Sequence, residues 1–158
     1  MIEVKNVVKS FDGFRALDEA SLTVPKGAVY GLVGPNGSGK SNISDAIRWV
    51  MGEQSSKALR GAKMEDVIFG GTEKRNQMGF AQVTLVIDNT EHIFPTREEA
   101  EVAVTRRYYR SGESEYYINK QSVRLKDVNE LFMDTGMGRE GYSIIGQGKI
   151  DEILSVKR

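Results

Sequence analysis

Eight residues carry the most specific chemistry in the chain. Gly34-Pro35-Asn36-Gly37-Ser38-Gly39-Lys40-Ser41 fit the pattern G-x-x-x-x-G-K-[ST]. The glycines let successive backbone N–H groups turn inward around phosphate oxygens. A helix that opens near Lys40 adds the positive end of its dipole. Lys40 meets the β- and γ-phosphates of a nucleotide as a point charge, and the Ser41 hydroxyl ligates Mg²⁺. Average residue usage gives this pattern a roughly half-percent chance in a chain of this length, so a fortuitous glycine turn competes poorly. Gln147, in Ile144-Ile145-Gly146-Gln147-Gly148, offers an amide carbonyl suited to a hard cation. From composition alone, a polar turn residue accounts for it equally well. A third group is basic: Arg106, Arg107, Arg110, Lys120, Arg124 and Lys126, interleaved with Tyr108, Tyr109, Tyr116 and Tyr117. Clustered cations of this kind can contact DNA phosphates. The plainer alternative is a solvated antiparallel face with cross-strand pairs to Glu113 and Glu115, Tyr108 and Tyr116 facing the core.

Positioning these residues requires particular elements. Ile2 and Val4 alternate with polar residues and begin a strand, Phe11-Asp12-Gly13 marks a turn, and Ala20, Leu22 and Val24 mark a second strand. Residues 28–33 form an almost continuous apolar run, the pattern of a strand buried on both faces in a mixed or parallel sheet. After the glycine-rich loop, Ile43, Ala46, Ile47 and Val50 make one apolar stripe of a helix from about Lys40 to Met51, with Gly52 as its stop. Residues 80–119 read as an antiparallel sheet with one solvated face, its hairpin at Ser111-Gly112. Leu125, Val128, Leu131 and Phe132 mark a short helix ended by Gly136.

Composition excludes several classes of function. The chain has 158 residues, 39% of them hydrophobic, enough for one domain with a core. Without cysteine, disulfides and thiolate chemistry are excluded, and a single histidine excludes a multi-histidine metal site. No apolar run approaches the ~18–20 residues of a membrane-spanning helix, and the start lacks a signal-peptide pattern. A cytoplasmic protein without membrane insertion is expected. Lys and Arg number 22 against 22 Asp and Glu, so any nucleic-acid surface must be a local patch.

From about Gly34 onward, the stretches GPNGSGKSNISDAIRWVMGEQSSKALRGAKMEDVIFGGTEKR, VTRRYYRSGESEYYINK and RLKDVNELFMDTGMGREGYSIIGQGKIDEIL resemble the N-terminal half of the ATPase head of bacterial structural-maintenance-of-chromosomes (SMC) proteins. The first ~33 residues instead look like the start of an ABC-transporter ATPase subunit, as in a junction of two ABC-class ATPases. The resemblance implies an α/β fold, the N-lobe of an ABC-class P-loop NTPase, with a mixed β-sheet, a phosphate-loop helix and an antiparallel β subdomain. It implies ATP and Mg²⁺ as ligands. Gln147 then matches the glutamine that contacts Mg²⁺ and the attacking water, and joins Ser41 as a metal ligand. Arg60, in Leu59-Arg60-Gly61, matches an arginine at the nucleotide edge, and Asn42 joins Gly34 to Ser41 around the nucleotide. Phe11, in the transporter-like opening, matches the aromatic that stacks on adenine in the transporter class.

The resemblance also implies what hydrolysis needs beyond these residues: an apolar strand ending in Asp-Glu, a signature loop and a switch histidine. Leu85-Val86-Ile87-Asp88 imitates the first, but Asn89 follows where Glu is required, Asp151-Glu152 falls in a predicted helix, and His92 sits in a loop. Residues 1–148 are therefore expected to be an N-terminal lobe, and 149–158 the start of a coiled-coil helix. The expected partners are a C-terminal lobe of the same head and a second head across sandwiched ATP. Two alternatives remain: a transporter-type subunit, and an engineered chimera with residual nucleotide binding. The 107-residue separation of Lys40 and Gln147 favours the SMC type over the transporter type.

Overall fold

The computed structural model describes residues 2–11, 14–24, 40–71, 73–74 and 76–134, with the backbone alone for residues 2–24 and 40. Among the described residues, six strands form one sheet: β1 (Ile2–Phe11), β2 (Phe14–Val24), β3 (Phe80–Asp88), β4 (Glu101–Tyr109), β5 (Ser114–Ile118) and β6 (Gln121–Val123). Their order is β2-β1-β3-β4-β5-β6, and every pair is antiparallel. The expected antiparallel region therefore extends beyond 80–119. Ile2 pairs with Ile87 and Lys5 with Thr84, which adds the first hairpin to the same sheet. The apolar run 28–33, on which the mixed character of the sheet depends, lies outside the described residues.

Alternation in β3 and β4 sets the two faces of the sheet. Val83, Leu85 and Ile87 lie opposite Arg106, Val104 and Val102, and all six are buried. Gln82 and Thr84 lie opposite Arg107 and Thr105 on the other face, where the two threonine hydroxyls meet at 2.9 Å. Gly112, at φ +91, turns β4 into β5, as the Ser-Gly signal predicts.

Helix α1 (Lys40–Val50) packs on the inner face of the sheet. Its buried side chains are Asn42, Asp45, Ala46, Trp49 and Val50, while Ile43 and Ile47 are only partly buried. The expected apolar stripe is thus rotated toward two polar residues, a placement that requires hydrogen-bond partners for both. Gly52 ends the helix as expected. Its N–H donates to Trp49 O at 3.2 Å, the Glu53 N–H donates to Arg48 O at 3.1 Å, and Gly52 itself is at φ +111. Helix α2 (Leu125–Met133) buries Val128, Leu131 and Phe132, and Phe132 meets Phe94 edge-on. Gly136, its expected stop, lies outside the described residues.

The connection from β3 to β4 is built around Asn89, which is 1% exposed. Its amide nitrogen donates to Arg97 O and Glu99 O, and its Oδ1 accepts the Phe94 N–H at 2.8 Å. Asn89 is therefore the organiser of a loop, and the Asp88-Asn89 pair ends a half-buried strand, in keeping with its rejection as a catalytic pair. His92 is exposed. Among the described residues, no helix is long and apolar enough to cross a membrane.

Candidate functional site

Helix α1 opens at Lys40, so the Lys-Ser of the motif forms its first turn. That turn contains no acidic residue of its own, so no carboxylate of the first turn offsets the positive end of the helix dipole. Ser41 is exposed there. A phosphate chain and a hard cation fit this arrangement: a helix whose first turn carries no acidic residue and presents an accessible hydroxyl. Gly34 to Gly39 and Gln147 lie outside the described residues. Phe11 is seen only as backbone, where it pairs with Phe14 at the end of the first hairpin.

Arg60 is brought to the same turn from the loop that follows α1. Residues 56–61 curl tightly, with Arg60 N–H donating to Lys57 O and Gly61 N–H to Ser56 O, and Arg60 adopts φ +58. The Asp66 carboxylate steadies the exit by accepting the Ala62 and Lys63 N–H groups, each at 2.9 Å. From this loop, Arg60 Nε and Nη2 both donate to Asp45 Oδ2, at 3.0 and 2.7 Å, and Nη2 donates to Asn42 Oδ1 at 2.9 Å. These bonds explain the two buried polar residues of α1. The Arg60 side chain remains 49% exposed while that of Asp45 is 5% exposed, so the cation stands at the surface beside the phosphate-loop helix. Sequence reasoning selected Arg60 and Asn42 but missed Asp45. The available signal was Asp45 lying three residues after Asn42, on the same helical face.

The basic cluster does not form one surface. Arg106 is 1% exposed, and its guanidinium lies between the rings of Trp49 and Tyr116, 4.7 and 5.2 Å from their centroids. Its Nη1 donates to Trp49 O and Glu53 O, at 2.9 and 2.6 Å. Burial lowers its pKa from the usual arginine value. Arg106 is therefore removed from the expected DNA-contacting set, because it shares the inward face with Val102 and Val104. Arg107, on the opposite face, donates to Gln82 Oε1 and to the Tyr109 hydroxyl. Arg110 is bound to Met78 O and Phe69 O at 2.7 and 2.8 Å. Lys126 pairs with Glu130 along α2. Lys120 and Arg124 are exposed.

The glycine-rich motif opening α1, with an arginine held beside it, is the setting in which the likeness to known proteins is informative. Residues 5–149 match the family described as the RecF/RecN/SMC N-terminal domain. The chain belongs to this family. The chromosome partition protein Smc of Clostridium kluyveri is 58% identical over 146 residues, which is 92% of this chain and 12% of that protein. The family match covers most of the opening 33 residues as well, so the transporter-like character of that segment is not shown.

Solved structures place the fold among SMC ATPase heads, of the ABC-class P-loop type. One, from work on ATP-driven dimerization and DNA-stimulated activation of SMC ATPases, is 33% identical with a TM-score of 0.79. It covers 97% of this chain, and this chain covers 88% of it. Another, an Smc head bound to the C-winged helix domain of ScpA, is 31% identical with a TM-score of 0.76, and this chain covers 46% of it. The chain spans about an eighth of the curated relatives it matches and about half of the latter head.

Proposed function

We propose that the chain is the MgATP-binding half of an SMC-type head, part of a cytoplasmic chromosome-partition ATPase. The observation that carries this proposal is the phosphate-loop Lys40-Ser41 opening α1, with Arg60 anchored one turn away, inside a span that matches the SMC family. In this reading Gly34, Pro35, Asn36, Gly37, Ser38 and Gly39 wrap the phosphates and Lys40 balances their charge. Ser41 and Gln147 hold Mg²⁺, and Phe11 faces the adenine. Bound Mg²⁺ would draw charge from the phosphate oxygens and fix their orientation. Arg60 is held by Asp45 and Asn42, so its cation meets the nucleotide from a fixed direction instead of being ordered on binding. Residues 1–148 form the lobe, and 149–158 begin a coiled-coil helix.

Phosphoryl transfer also requires an oriented water and stabilisation of the transition-state charge. No Asp-Glu strand end occurs among the described residues, and Asn89 is committed to backbone hydrogen bonds. The water-orienting carboxylate is assigned to a C-terminal lobe of the same head, and a signature loop to a second head across sandwiched ATP. The isolated chain is expected to bind MgATP and hydrolyse it no faster than background, and turnover is expected when a matching C-terminal lobe is added. Phosphate release measured with and without that lobe tests this. Steady release by the chain alone, abolished in Lys40→Ala, would contradict it.

A further inference from the structure

Helix α1 is held at its far end by a device that the nucleotide reading does not use. Arg106 projects from the middle of β4 into the core, and its Nη1 accepts no substitute from solvent, since the residue is 1% exposed. That nitrogen bridges Trp49 O, in the last turn of α1, and Glu53 O, just past the Gly52 stop. The guanidinium carbon lies over the rings of Trp49 of the helix and Tyr116 of β5, 4.7 and 5.2 Å from their centroids. The loop after the helix is held to the same tyrosine, because Gln54 Nε2 donates to the Tyr116 hydroxyl at 3.1 Å. Backbone, ring and following loop are thus all fixed to one strand pair through one cation.

This arrangement costs more than an apolar contact would. Arg106 Nε and Trp49 Nε1 are buried with no hydrogen-bond partner among the described residues. A buried cation is weak evidence for stability, because well-packed apolar residues often do as well. What the guanidinium supplies and an apolar side chain does not is direction: one nitrogen donates to two carbonyls while the cation lies over two rings. Those contacts fix both the axial position and the rotation of α1. With 11 residues, the helix is about 16 Å long. A pivot at its C-terminal end moves its N-terminal end, where the phosphate loop joins it.

We infer that Arg106 is a positioning residue for nucleotide binding, setting the phosphate-loop helix against the β4–β5 hairpin. The inference rests on the nucleotide reading of Lys40 and Ser41. It makes the hairpin a support for the site and leaves Arg106 out of contact with any ligand.

The test uses the 158-residue chain with Arg106→Met, Arg106→Lys and Val104→Ala, titrated with MgATP in a calorimeter alongside thermal unfolding. Arg106→Met removes the nitrogen that donates to both carbonyls while keeping length. Its affinity should fall about tenfold or more at temperatures where it is folded, the scale expected from small misplacement of a binding group. Arg106→Lys keeps one nitrogen for the carbonyls and should recover part of the loss. Val104→Ala opens a cavity at a fully buried neighbour on the same strand. It should lower the unfolding temperature and leave affinity unchanged, a split that a merely structural role for Arg106 would not produce. Wild-type affinity in the Arg106 variants, or an equal loss in Val104→Ala, overturns the inference. If Arg106→Met does not fold, Arg106→Lys against Val104→Ala decides it. Absence of saturable binding in the wild-type chain would overturn the nucleotide reading, and this inference with it.

Discussion

Arg106 and Arg107 are adjacent in sequence and opposite in environment. One is enclosed by Trp49, Tyr116 and the end of α1. The other lies in a half-exposed array with Gln82, Tyr109, Glu115 and the rings of Phe80 and Tyr117. The sequence contained the signal that separates them, since Arg106 keeps step with Val102 and Val104 in a period of two. Grouping cations by proximity in sequence hides that period. The outer array also has a pH signature. Tyr117 and Tyr109 donate their hydroxyls to Glu115 Oε2 at 2.6 and 3.0 Å. These bonds, Tyr117's first, hold the Glu115 carboxyl below its usual value. The unfolded chain therefore binds this proton more readily than the folded one. The resulting stability is present above the ordinary carboxylate pKa and is lost as pH falls through the lower folded value. Tyr117→Phe should move the acid limb of the unfolding curve to higher pH, followed by circular dichroism during acid titration. Superimposable acid limbs would show that the bond contributes nothing.

At the scale of elements, local signals identified α1, the β4–β5 hairpin and α2, because periodicity and glycine position are properties of neighbouring residues. The joining of β1 to β3 was not legible, since Ile2 and Ile87 meet across 85 residues of chain with no local cue. The polar side of α1 was hidden for a related reason: Asn42 and Asp45 are buried only because Arg60 arrives from the next loop. The end of α1 was legible in Gly52, and the structure adds a second constraint there. A Cβ at Gly52 would lie 2.8 Å from Asn129 Oδ1 and 3.2 Å from Leu125 Cδ1, and the backbone is at φ +111. Gly52→Ala should therefore destabilise the chain by more than about 1 kcal/mol, combining positive-φ strain with the clash against α2. Chemical denaturation measures this directly, and an unchanged midpoint would mean that the helix stop relaxes freely.

At the scale of the molecule, one continuous sheet supports a phosphate-loop helix held at two points, by Arg60 through Asn42 and Asp45 and by Arg106 at the carbonyl end. The family was legible from long motifs, whereas the basic cluster, read from neighbouring residues alone, separates in the structure, with Arg106 in the core. Balanced charge and scattered basic residues give no broad cationic face among the described residues. The role proposed for the Gly34–Ser41 loop is to bind the phosphates of MgATP. Calorimetric titration of MgATP into the chain and into Lys40→Ala tests it most directly. Saturable binding is expected for the unaltered chain, with affinity reduced several-fold or more in Lys40→Ala at the same unfolding temperature. Equal affinity in the two proteins would contradict it.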